Sequence, residues 1–154
     1  MRLKNNKIAE EIIAALFAGI WAYASVSKVI SHNKLIAVLY TTDLFGGYTI
    51  YLSYLVPALE LILSVLIISP VTRSAGLIAS LAYLLLLSAY LLYMILFTPV
   101  LPCTCVGLIS SFTWLQHFWL NCILMPGASV TIFIHRRARY RIAIPSQKFR
   151  PEQL

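Results

Sequence analysis

Between Ser74 and Ile134 the chain carries no Asp, Glu, Lys or Arg, and the one side chain in that stretch that titrates near neutrality is His117. Soluble domains average about 25% charged residues. This chain of 154 residues has 11%, against 60% apolar residues, which leaves too little polar surface to coat a water-soluble fold. The length suits a single domain, and the composition suits a bilayer.

A bilayer core is crossed by about 20 apolar residues of helix. Four windows satisfy that requirement, at 10–30, 48–69, 75–98 and 112–134. Turn and breaker residues separate them: Ser31-His32-Asn33-Lys34 and Gly46-Gly47, then Pro70 to Arg73, then Pro99, Pro102 and Gly107. The chain is therefore predicted to be all-α, an integral membrane four-helix bundle over residues 1–134 with a basic cytoplasmic tail at 135–154. In the first span Ala14, Ala18 and Ala22 recur every four residues, with Ala15 and Gly19 beside them, which predicts close approach of a neighbouring helix. The segment Lys34 to Tyr40 mixes apolar and polar residues as a short interfacial helix does.

A net charge of +7 would ordinarily raise nucleic acid as a partner. Here the basic residues sit at the two ends, so they set topology instead. Arg2, Lys4, Lys7, Arg73, Arg136, Arg137, Arg139, Arg141, Lys148 and Arg150 fall on one side of a four-span chain, ten of its twelve Lys and Arg, against Lys28 and Lys34 on the other. Both termini are predicted to be cytoplasmic, with the loops at 31–47 and 99–111 on the opposite side, the periplasm of a bacterial inner membrane. The basic start and Ala22-Tyr23-Ala24 imitate a cleaved secretory signal, but Glu10 and Glu11 interrupt the basic-to-apolar junction, and the first span is expected to stay.

Two of the three cysteines form Cys103-Thr104-Cys105 in the third loop, on the side where disulfides persist. A disulfide within Cys-x-Cys closes a very small ring. Strained disulfides are readily reduced, so the pair suits exchange better than stapling. Ser110 or Ser111 is expected to cap the fourth helix, whose positive end favours a thiolate nearby. A structural clip or a pair of inert thiols is the plainer alternative. A metal site is a ligand short with two Cys and one His, and none is expected.

On the fourth span Trp114, His117 and Asn121 share one face, while Cys122 points elsewhere as a packing residue. Ionisable groups inside spans mark function more often than not, although His117 can also be a hydrogen-bonded core residue. Glu60 lies mid-span with no charge nearer in sequence than Asp43 and Arg73, and it needs a partner. From helix starts near 112 and 48, His117 lies about 8 Å, Asn121 about 14 Å and Glu60 about 18 Å from the outer boundary. That arrangement is a descending polar column. Lys28 reaches Glu60 only if the second span begins farther out than 48. Tyr93, Phe97, Phe112, Trp114, Phe118 and Trp119 crowd the same half, as an interfacial belt or as walls for a planar quinone ring.

Ser25-Val26-Ser27-Lys28 closing the first span, Pro57-x-x-Glu60 in the second, Pro102-Cys103-Thr104-Cys105-Val106-Gly107 after the third and Trp114-x-x-His117-x-x-x-Asn121 opening the fourth resemble the MauE/DoxX redox-associated membrane proteins. The resemblance covers roughly residues 8–134. It implies a four-helix bundle tied to periplasmic thiol and disulfide metabolism; MauE is associated with maturation of a disulfide-rich enzyme subunit, and relatives are often encoded beside thioredoxin-like proteins. It implies further that Cys103 and Cys105 are the redox pair, with Lys28, Glu60, Trp114, His117 and Asn121 matching the surrounding motif; His117 is expected to be catalytic with the cysteines, as a proton relay, and Lys28, Glu60, Trp114 and Asn121 to form the supporting polar site. Ser25 stands where relatives often have Gly, and Val106 where Phe or Gly often follows the second Cys. There is no second Cys pair of the vitamin K epoxide reductase type. The expected activity is that of a thiol:disulfide oxidoreductase exchanging with a periplasmic thioredoxin-like or disulfide-containing protein, with quinone as the candidate acceptor. The alternative is a non-catalytic subunit or assembly factor of a larger membrane complex.

Overall fold

The computed structural model describes residues 2–41, 46–98 and 113–143, with side chains for 8, 10–41, 46–98 and 113–136. Every regular element among them is helical: α1 (Arg2–Ile30), α2 (His32–Tyr40), a 3-10 turn (Gly46–Tyr48), α3 (Thr49–Ile68), α4 (Arg73–Phe97) and α5 (Trp114–Ala143). Hydrocarbon offers no partner for a backbone N–H or C=O, so a spanning segment must satisfy these groups internally, and the helix does so. Four helices are long and apolar enough to cross a membrane, over Glu10–Ile30, Gly46–Ile68, Arg73–Phe97 and Trp114–Arg136. Large apolar side chains such as Leu16 and Val29 on α1, Ile62 and Val65 on α3, Leu85 and Leu86 on α4, and Ile123 and Phe133 on α5 face outward. In water that surface would drive aggregation; in lipid it is the solvated face.

The bundle is built on the pairing of α1 with α3. Ser25 Oγ donates to Pro57 O at 2.8 Å and Ser64 Oγ donates to Ala18 O at 2.8 Å. These two bonds fix an antiparallel register in which 25 lies opposite 57 and 18 opposite 64. A serine reaches a carbonyl on the next helix only when the backbones come close, and the buried Ala14 and Ala18 permit that. Ala15 and Gly19 do not belong to the contact: both are exposed, and a Cβ at Gly19 would meet nothing within 4 Å. The small-residue stripe is thus narrower than the sequence suggests.

Helices α3 and α4 meet at Gly76, where a Cβ would sit 3.0 Å from Ile67 N and from Leu66 C. Phe17, Ala18, Trp21, Leu63, Ile67, Leu77, Leu84 and Ala128 fill the centre. At the end of the bundle away from α2, Glu10 of α1 is held by side chains from two other helices. His135 Nδ1 on α5 hydrogen-bonds Glu10 Oε1, and Arg73 Nη1 lies 3.6 Å from the same oxygen. Arg73 Nε also donates to Ile67 O at 3.2 Å, which ties the cluster to α3. His135 is therefore part of the packed bundle, because α5 continues as helix past residue 134 to Ala143.

Helix α2 buries Leu35, Val38 and Leu39. It does form where a short interfacial helix is predicted, and its apolar face packs onto the bundle. Trp114, buried with Val38, Leu91 and Met94, belongs to that packing and not to an aromatic belt. Trp119 and Phe97 do face outward, and Tyr93 stacks on Phe97 at 5.2 Å.

Candidate functional site

The α2 end of the bundle contains a buried ion pair. Lys28 Nζ donates to Glu60 Oε1 at 2.6 Å, with Lys28 6% and Glu60 0% exposed. The pair forms although α3 starts at Thr49, no farther out than the sequence suggests. The helix register explains how. With 25 opposite 57, the Lys28 Cα stands level with Tyr54, six residues or about 9 Å from the level of Glu60. Side chains tilt toward the N-terminus of their own helix, so in an antiparallel pair the Lys28 side chain on α1 and the Glu60 side chain on α3 lean toward each other and close the gap.

Glu60 is positioned by Pro57, one turn before it inside α3. Proline has no N–H to offer Ser53 O, and Ser25 from α1 accompanies the irregularity by donating to the Pro57 carbonyl. From α4 the Tyr83 hydroxyl faces the Glu60 carboxylate without completing a hydrogen bond, and Glu60 Oε2 has no hydrogen-bond partner. Tyr83 also packs edge-on to Trp21 of α1, ring centroids 5.3 Å apart. The indole Nε1 of Trp21 is buried and makes no hydrogen bond.

On α5 the buried Trp114, His117 and Asn121 present one face, as their spacing predicts. The helix begins in a capping box. Thr113 N donates to Gln116 Oε1 at 2.9 Å, while Gln116 N points back to Thr113 Oγ1 at 3.4 Å. The cap is thus Thr113; Ser110 and Ser111, the residues expected for that role, lie outside the described residues. Cys122 is a half-buried free thiol on the same helix, less enclosed than the packing role predicted for it.

One cavity of about 210 Å³ is bordered by Trp21, Lys28, Glu60, Tyr83, Tyr90, Trp114, His117 and Asn121, set among apolar side chains from all five helices. The polar column expected from the sequence is thus brought together around a single space, and five of the seven predicted site residues line it: Lys28, Glu60, Trp114, His117 and Asn121. The other two, Cys103 and Cys105, lie outside the described residues, as do Val106 and Phe112. Trp21 and Tyr83 are the site residues that sequence reasoning missed. Each sits in an apolar run with no periodic or charge signal, and only the α1–α4 contact reveals them.

No group of three or more His, Cys, Asp or Glu able to hold a metal occurs among the described residues. The polar groups of the cavity instead offer hydrogen-bond donors and a carboxylate acceptor in an otherwise apolar space, the usual form of a site for a small molecule with a polar head.

Among proteins of curated function and among solved structures, no match to the chain was found. Residues 6–134 match the family of the methylamine utilisation protein MauE, a stretch that takes in every side chain lining the cavity; the chain is a multi-pass membrane protein and belongs to the MauE family.

Proposed function

We propose that the protein is a membrane thiol:disulfide redox protein of a bacterial inner membrane, in which Cys103 and Cys105 exchange with a thioredoxin-like or disulfide-containing protein on the periplasmic side. The observation that carries this reading is the burial of the Lys28–Glu60 pair beside a cavity at the end of the bundle from which the Cys-bearing connection leaves α4 and to which it returns at α5. Cys103 is five residues from Thr98. A chain spans at most about 3.6 Å per residue, so Cys103 is tethered within about 18 Å of the end of α4. The capped, positive N-terminal end of α5 is the other anchor of that connection, and such ends favour a thiolate.

The charge asymmetry supports the orientation: ten of twelve Lys and Arg residues fall on the side of the termini in a four-span chain, which favours a periplasmic Cys103 and Cys105. In the exchange, the thiolate of one cysteine attacks a disulfide sulfur of the partner, a mixed disulfide forms, and the second cysteine resolves it. The partner leaves as a dithiol and the pair is oxidised; the reverse sequence oxidises a partner. The family's tie to methylamine utilisation supports a client that needs its disulfides made or corrected.

A Cys105→Ser variant tests the reading, because it removes the resolving thiol and should accumulate a mixed disulfide through Cys103 that mass spectrometry identifies. Should neither single Ser variant trap an adduct, and should the double variant support full maturation of periplasmic disulfide proteins, the protein is instead a non-catalytic member of a larger membrane complex.

A further inference from the structure

We infer that the cavity is the binding site of a membrane quinone, which enters from the bilayer between α3 and α4. Buried polar atoms are almost always hydrogen-bonded, and each exception asks for an explanation. Here two atoms without a partner, Trp21 Nε1 and Glu60 Oε2, belong to side chains that line the same cavity. One is a donor and the other an acceptor. Beside them stand the Tyr83 hydroxyl and the Lys28 ammonium, one of whose three N–H groups goes to Glu60.

These groups match both redox forms of a quinone. A ring carbonyl accepts from Trp21, Tyr83 or Lys28, and a quinol hydroxyl donates to Glu60 Oε2. The size also fits: an apolar cavity of about 150 Å³ admits benzene, so about 210 Å³ takes one substituted six-membered ring. The rest of such a molecule must lie elsewhere, and the lining shows where. Leu86 lines the cavity yet is 66% exposed, and the half-buried Leu52, Val56 and Leu87 stand with it. Side chains that face both the cavity and the outside mark an opening. At this level the outside is hydrocarbon, which suits an isoprenoid tail. The tight contact of α3 with α4, at Gly76 and Ile67, lies at the opposite end.

The inference rests on the redox reading proposed above for one point only, the source of the electrons. The thiols of Cys103 and Cys105 lose two electrons and two protons as their S–S bond forms, and the quinone takes up two of each as its two C=O groups become C–OH.

The test uses the full-length protein in detergent and a benzoquinone with a decyl side chain. Trp21 and Trp114 line the cavity, so binding is expected to quench tryptophan fluorescence saturably, measured in a Trp119→Phe background that removes the outward-facing indole. Trp21→Phe keeps an aromatic ring, though a smaller one, but loses the indole N–H and should raise the half-saturating concentration about two- to tenfold, the worth of one hydrogen bond. Val56→Phe and Leu87→Phe narrow the opening and should raise it at least tenfold in protein whose helix content is unchanged. Quenching that is linear in quinone and equal in all variants means partition into the micelle and overturns the inference. Oxidation of the reduced Cys pair is followed separately by thiol labelling. Exchange with protein disulfides without saturable quenching sinks the quinone site alone; saturable quenching without oxidation of the pair sinks the assignment of quinone as its acceptor.

Discussion

Removing one partner of the Lys28–Glu60 pair should destabilise the protein severely, and removing both should not. In Lys28→Met the apolar stem is kept and the ammonium is lost, which leaves a carboxylate that is 0% exposed facing only the Tyr83 hydroxyl. Breaking a buried pair in this way costs about 3–5 kcal/mol, because the surviving charge remains desolvated. Replacing both partners with apolar side chains of similar volume removes the desolvation penalty together with the attraction, and is typically neutral or stabilising by about 1–4 kcal/mol. The predicted order is therefore Lys28→Met and Glu60→Leu far below wild type, and the Lys28→Met/Glu60→Leu double variant level with it or above.

For a chain of this size 1 kcal/mol moves Tm by about 2–4 °C, so each single variant should melt about 6–20 °C lower. Thermal unfolding in detergent, followed by circular dichroism, measures all four proteins, and the coupling energy follows from the cycle. The reasoning is refuted if the double variant is as unstable as the worse single one, for then the pair itself holds the bundle together. Single variants within 1 kcal/mol of wild type would refute it as well, by showing that the pair is not truly dehydrated.

Gly76→Ala should lower stability by about 1–3 kcal/mol, since its Cβ would press on backbone atoms of Leu66 and Ile67; Gly19→Ala, with nothing to meet, should be neutral or gain about 0.5–1 kcal/mol from helix propensity, and thermal unfolding compares the two. His135→Ala removes the α5 partner of Glu10 and should cost about 1–3 kcal/mol by the same assay; no loss would return His135 to the tail. A membrane-impermeant maleimide should label reduced Cys103 and Cys105 without opening the membrane that holds the protein, and labelling only after it is opened would invert the proposed topology.

What was legible in the sequence is what lipid enforces. A charge-free run from Ser74 to Ile134 leaves few alternatives to helices of spanning length, and the predicted edges at 48, 69, 75, 98 and 112 fall within two residues of the observed ones. The site was half legible for a related reason: Glu60, His117 and Lys28 are anomalies inside apolar windows, and anomalies are visible. The Lys28–Glu60 contact was not, because it depends on how α1 slides along α3. That register is set by two serine hydroxyls no different in sequence from any others. Trp21 and Tyr83 were invisible because an aromatic residue in a span is unremarkable until its polar atom is found buried without a partner. Glu10 and His135 are 125 residues apart in the chain, and nothing local signals that they meet.

The two buried carboxylates differ in what surrounds them. Glu10 lies at the edge of its span, and His135 and Arg73 converge on one of its oxygens from two other helices; the arrangement joins α1, α4 and α5. Glu60 has one cation, and its second oxygen is left without a hydrogen bond beside a cavity. Nor is its pair needed to dock α1 on α3. Two serine-to-carbonyl bonds already do that, one to Pro57 and the other from Ser64, on the turns either side of Glu60, and they require no dehydrated charge. A bundle selected for stability alone would fill the positions of Lys28 and Glu60 with leucine or methionine. That the chain keeps an ion pair there, with an acceptor unsatisfied and an indole donor unsatisfied nearby, argues that the pair is retained for what it presents to the cavity.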